Sequence, residues 1–106
     1  YLNKIVNQKK IIHGYGASTK GNVLLQYFGI TKKYIKYIAD RNPKKNNHFT
    51  PGTKIRIITE EKSRKIIPDY YLVLPWHFKK EILYRERNLI KKGSKFIFPL
   101  PTFKVY

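Results

Sequence analysis

The apolar positions of this chain fall into short blocks whose spacing switches between strand-like and helical. Ile11-Ile12 forms a brief apolar run that meets Gly14 and Gly16, and Val23, Leu24, Leu25, Tyr27 and Phe28 follow at helical intervals. The order predicts a strand over about 9–13, a tight glycine turn, and a helix from Ser18 or Thr19 to Phe28, stopped by Gly29. Tyr34–Ala39 is rich in β-branched and aromatic residues and predicts a second strand, ending in the loop opening Asp40-Arg41-Asn42-Pro43. Residues 41–54 are irregular and close on Thr50-Pro51-Gly52-Thr53, where proline presets φ and glycine accepts a positive one. A strand over Ile55–Ile58 comes next. Thr59 then stands as a cap ahead of Glu60 and Glu61, predicting a short helix to about Lys65. Tyr70–Leu74 is nearly continuous in apolar residues, as expected of a strand covered on both faces. Pro75-Trp76-His77 turns into a helix over about 77–92, ended by Gly93, and Lys95–Phe98 is the next strand, with Phe103–Val105 at most a short addition. Strand alternating with helix predicts a small α/β domain around a mainly parallel, five-stranded sheet.

Composition narrows the chemistry. The 106 residues fit one domain, 1–106, and the chain opens on Tyr1 with no methionine anywhere, so it reads as a fragment of a larger multidomain protein. No run approaches the ~20 apolar residues of a membrane span, and no signal-peptide pattern is present, so the expected setting is cytoplasmic. Without cysteine there is no disulfide, thiolate metal site or cysteine nucleophile. His13, His48 and His77 lack metal-ligand spacing, and no metal is expected. The net charge of +17 suggests nucleic acid at first. Its make-up argues otherwise: lysine far exceeds arginine, Ile, Asn and Tyr are abundant, and the lysine pairs are scattered, which is the bias of an A/T-rich genome. General attraction for anionic ligands is what survives.

In a parallel α/β sheet, ligands bind outside the carboxyl ends of the strands. Four segments should crowd that rim: the glycine turn, Asp40–Pro43, Pro75–His77 and Pro99–Pro101. The turn Gly14-Tyr15-Gly16-Ala17, continuing through Lys20 to Gly21, either cradles a phosphate on backbone amides at a helix N-terminus or is simply a tight connection. The spacing departs from G-x-G-x-x-G, since Thr19 stands where the third glycine belongs. Lys20 either meets a phosphate or is solvated. Asp40 either accepts ribose hydroxyls or makes an Asx turn. Trp76 offers a stacking surface or a packing anchor, and His77 an acid–base group or a cap. No paired carboxylates and no Ser/His/Asp triad can be assembled from the residue pattern, so no catalytic residue is assigned.

These segments also resemble the C-terminal domain of the sugar C-methyltransferase family. The residues that carry the resemblance are Gly14-Tyr15-Gly16-Ala17 with Lys20-Gly21-Asn22, Asp40 with Asn42-Pro43 and Lys45, Pro51-Gly52-Thr53, Pro68-Asp69-Tyr70, Leu72-Val73-Leu74-Pro75-Trp76, and Phe96 through Pro101. They stand in the family's order over about residues 11–101. Asn47, where a glycine is usual, and His48 and Thr50 depart from the pattern. The resemblance implies a Rossmann-like, three-layer domain that holds a nucleotide-linked deoxysugar. S-adenosylmethionine would be bound by an upstream domain of the same chain, where methyl transfer and the zinc cysteines would also lie. Gly14, Tyr15, Gly16, Ala17, Lys20, Gly21, Asp40, Pro75 and Trp76 are then the expected substrate-binding positions. Two rival readings remain: a stand-alone dinucleotide-binding module, and a basic nucleic-acid binder.

Overall fold

A computed structural model describes residues 8–17, 19–100 and 102–106, with the side chains of Thr19 and Lys20 left out. Its strands are β1 (Ile12–Tyr15), β2 (Tyr37–Asp40), β3 (Arg56–Thr59), β4 (Tyr70–Val73), β5 (Lys95–Phe98) and β6 (Lys104–Val105). The helices are α1 (Thr19–Tyr27), α2 (Glu60–Ile66), α3 (Lys79–Arg85) and α4 (Arg87–Lys91), with 3-10 turns at Pro43–Lys45 and Trp76–Phe78. The strands form one sheet in the order β3-β2-β1-β4-β5-β6. β1 to β5 run parallel and β6 pairs antiparallel with β5.

The sheet therefore has six strands, not the expected five. After Phe98 the chain reverses, and Tyr106 and Phe96 exchange both backbone hydrogen bonds at 2.8 Å, so two residues suffice to add an edge strand. The outer edge of β3 is covered too: the Asn47 amide donates to the Ile57 carbonyl and the Ile57 amide to the His48 carbonyl.

Alternation along each strand sends side chains to two cores. Ile12, Ile38, Ile57, Leu72 and Ile97 share one face with Leu25 of α1. Tyr15, Ala39, Tyr71, Val73, Phe96 and Phe98 share the other with Ile82 of α3 and Leu89 of α4. On that second face Tyr71 stacks on Phe96 with ring centroids 5.0 Å apart, and Tyr15 meets Tyr71 edge-on at 5.8 Å. Full burial of Leu25 alone is worth about 2 kcal/mol.

Several boundaries move for identifiable reasons. β1 begins later than expected and continues through Gly14 and Tyr15, because Gly14 packs flat against Ile38: a Cβ there would lie 2.9 Å from Ile38 Cγ1. The second strand starts at Tyr37, since Thr31–Ile35 is wound into a turn by amides returning to Thr31 O. The single helix expected over 77–92 is a 3-10 turn and two short helices that meet at Glu86. Glu86 sits 3% exposed, and the helix breaks where its carboxylate is drawn inward.

Candidate functional site

The glycine turn is shorter than its sequence suggests and is already bonded within the chain. Gly16 takes φ 85°, a conformation suited to glycine, and its amide donates to Ala39 O at 2.8 Å. The Ala17 amide donates to Asp40 Oδ2 at 2.8 Å, and the Asn42 amide to Asp40 Oδ1 at 2.8 Å. Asp40 thus combines an Asx turn with a latch on the glycine segment. Lys45 reinforces it, donating to Ala17 O at 2.7 Å and lying 3.8 Å from Asp40 Oδ2. The long loop is fastened in the same way, with Asn22 of α1 donating to Pro51 O and accepting from Thr53 Oγ1.

Where the strand order changes direction, between β1 and β4, a cleft of about 400 Å³ opens at the carboxyl ends of the strands. Tyr15, Gly16, Asp40 and Pro75 line it, as the rim argument expects. Trp76 instead lines an apolar groove beside α1, stacked on His77 with centroids 4.3 Å apart. Ala17 lines a smaller pocket with Lys45 and His48. Gly14 is buried in β1 and Gly21 in α1, outside the cleft lining, and the Lys20 side chain lies outside the described residues. Of Pro99–Pro101, Pro99 and Leu100 do not line the cleft, and Pro101 is outside the described residues.

The other wall is one the sequence argument missed. Phe78, Glu81, Ile82 and Arg85 project into the cleft from the 3-10 turn and α3, joined by Arg41 and Glu60. Positions 78, 81, 82 and 85 follow the i, i+3, i+4, i+7 spacing of one helical face, and this was the available signal. Behind them lies an ion-pair network. Glu86 accepts from the Tyr15 hydroxyl at 2.5 Å, from Arg64 Nη2 on both oxygens at 2.8 Å, and from Arg85 Nε at 3.3 Å. Arg85 also donates to the Tyr15 hydroxyl and reaches Glu60 Oε2 at 3.4 Å. Burial, then the hydrogen bond to Glu86, push the Tyr15 hydroxyl well above its ordinary pKa. Burial also raises the Glu60 carboxyl, against the pull of Arg85 and Arg64. The sequence pattern offers no paired carboxylates, yet the fold gathers four: Asp40, Glu60, Glu81 and Glu86 all line this cleft or the groove beside it.

Two groups at the cleft carry no hydrogen bond or ion pair among the described residues: Arg41 and Glu81, both exposed. Arg41 and Arg85 therefore put two guanidinium groups on an opening floored by Tyr15, Gly16 and Pro75, with the Phe78 ring at its side. Asp40, Glu60 and Glu81 line the same opening, so its charge is mixed: the guanidinium groups can meet an anionic part of a ligand, the carboxylates can accept from hydroxyls, and Phe78 and Pro75 offer an apolar surface. Among the described residues no group of His, Asp or Glu could hold a metal ion. No helix there is long and apolar enough to cross a membrane.

The chain is 36% identical over 101 residues to the C-methyltransferase NovU of Streptomyces niveus, a match that covers 95% of the chain and 24% of the relative's length. The family model for the C-methyltransferase C-terminal domain matches residues 1–101. The chain belongs to the C-methyltransferase C-terminal domain family.

Proposed function

We propose that this domain is the nucleotide-sugar-binding part of an S-adenosylmethionine-dependent C-methyltransferase acting on a nucleotide-linked deoxysugar, and that it performs no chemistry by itself. The observation that carries the reading is the cleft at the β1/β4 switch, with Arg41 and Arg85 in its lining. The order β3-β2-β1-β4-β5 of the parallel strands supports a Rossmann-like reading, in which ligands lie outside the carboxyl ends at the β1/β4 switch. In this reading the two guanidinium groups meet the diphosphate, and Phe78 and Pro75 give a flat apolar surface to base or sugar. Tyr15, Gly16 and Asp40 shape the wall, while Gly14, Ala17 and Gly21 act from behind it by fixing the turn. Trp76 braces the Pro75 corner.

The Gly16 and Ala17 amides and both Asp40 oxygens already carry hydrogen bonds within the chain, so these two amides are not open to a second nucleotide such as S-adenosylmethionine. This supports assigning the cofactor and methyl transfer to another domain of the full-length enzyme. The same occupied amides weigh against a stand-alone dinucleotide module.

Calorimetric titration of the chain with dTDP, a dTDP-deoxysugar and NAD tests the reading. Binding of both dTDP ligands, weakened about tenfold by Arg41→Ala, is the expected result; the side chain removed is exposed and makes no hydrogen bond or ion pair among the described residues, so the fold should stay intact. Tight binding of NAD with none of the dTDP ligands would overturn it.

A further inference from the structure

The Leu74–Phe78 segment serves two surfaces. Pro75 and Phe78 wall the cleft, while Leu74, Trp76 and His77 join Val23, Leu24 and Tyr27 of α1 around a separate apolar groove of about 300 Å³. The α1 side of that groove is uncovered: Val23 is 58% exposed, Tyr27 82% and the adjoining Phe28 52%. Lys20 is the one charged residue in the nine of α1, whereas the seven of α2 include Glu60, Glu61, Lys62, Arg64 and Lys65. A solvated helix ordinarily turns charge outward, and contiguous exposed apolar side chains mark a surface that is covered in the working molecule.

We propose that this groove and the outer face of α1 form the docking surface for the methyl-transfer portion of the same enzyme, seated so that it also caps the mouth of the cleft. The chain spans 24% of the length of its Streptomyces relative, so about three-quarters of such an enzyme lies outside this domain and needs a seat on it. The alternative occupant, a second copy of this domain, brings one +17 charge against another, and self-repulsion opposes it. The apolar, nearly uncharged groove is the part of this basic surface where a partner approaches without meeting a field of lysines. Continuity supplies the functional link: anything resting on Trp76 and His77 abuts Pro75 and Phe78, so docking and closure of the cleft are one event. The inference rests on the proposed function only for the identity of the partner.

Hydroxyl-radical footprinting of the full-length enzyme, without nucleotide-sugar, tests the proposal independently of ligand binding. Tyr84 of α3, 70% exposed and outside the groove, is the internal standard for Tyr27. Tyr27 is expected to oxidise at least tenfold more slowly than Tyr84 at every protein concentration, and Tyr27→Glu should raise the labelling of Trp76. Equal rates for Tyr27 and Tyr84 would overturn the proposal. Protection of Tyr27 that appears only as the enzyme dimerises would also overturn it, identifying a second copy as the occupant.

Discussion

Glu86 shows how one side chain can organise a wall. It is buried, yet it accepts from Tyr15, Arg64 and Arg85 and so fixes the cleft guanidinium of Arg85. Glu86→Ala should cost about 1–3 kcal/mol in urea denaturation, because Tyr15 loses its acceptor while the two arginines keep partial access to water. Gly16→Ala should cost a similar ~1–3 kcal/mol, since φ 85° strains an alanine and its Cβ would lie 2.9 Å from Pro75 Cδ. His13 carries a different signature. It is fully buried between Tyr37 and Tyr71, its Nδ1 is 2.6 Å from Ser63 Oγ, and its Nε2 has no partner among the described residues. Burial, then the nearby Lys36 charge, lower its pKa from 6.5 to about 4. The unfolded chain therefore takes up the proton first as pH falls, so stability is complete above pH 6.5 and is lost on acidification towards pH 4. The loss is on the order of 3 kcal/mol. Denaturation curves at pH 7 and 4.5 should differ in the native chain, and the difference should shrink in His13→Phe.

At the scale of elements, α2 docks mainly through polar contacts. Ser63, its one buried residue, bridges His13 and the Tyr71 hydroxyl, and Glu60 and Arg64 join the network of α3. Its start depends on Thr59, whose hydroxyl accepts from the Lys62 amide at 3.1 Å. Thr59→Ala should cost about 1 kcal/mol by thermal denaturation, and because Glu60 sits in the same first turn, the cleft edge should loosen with it. The Thr59 cap was legible in sequence, as were the Gly29 and Gly93 stops and the placing of Asp40 and Pro75 on one rim. All of these are local signals. The occupation of the Gly16 and Ala17 amides was not legible, because their acceptors come from β2, more than 20 residues away. The break at Glu86 was hidden for a related reason: the partners that pull it inward, Tyr15 and Arg64, belong to other elements, and local periodicity reads straight through it.

Across the molecule, the +17 charge makes a general attraction for anions, and in the proposed function the cleft adds the specificity. Binding of dTDP should weaken several-fold between about 50 and 500 mM salt, as the Debye length shrinks from roughly 14 to 4 Å, with Arg41→Ala flattening the dependence; titration at both salt concentrations checks it. The two borders of the sheet have a further consequence. Residues 47–49 bridge onto the outer side of β3, and the border beyond β5 is the two-residue strand Lys104–Val105, so the parallel strands all lie inside short flanking backbone. Edges this short give a foreign strand little to pair with, which discourages growth of the sheet by strand addition, the usual road to fibres.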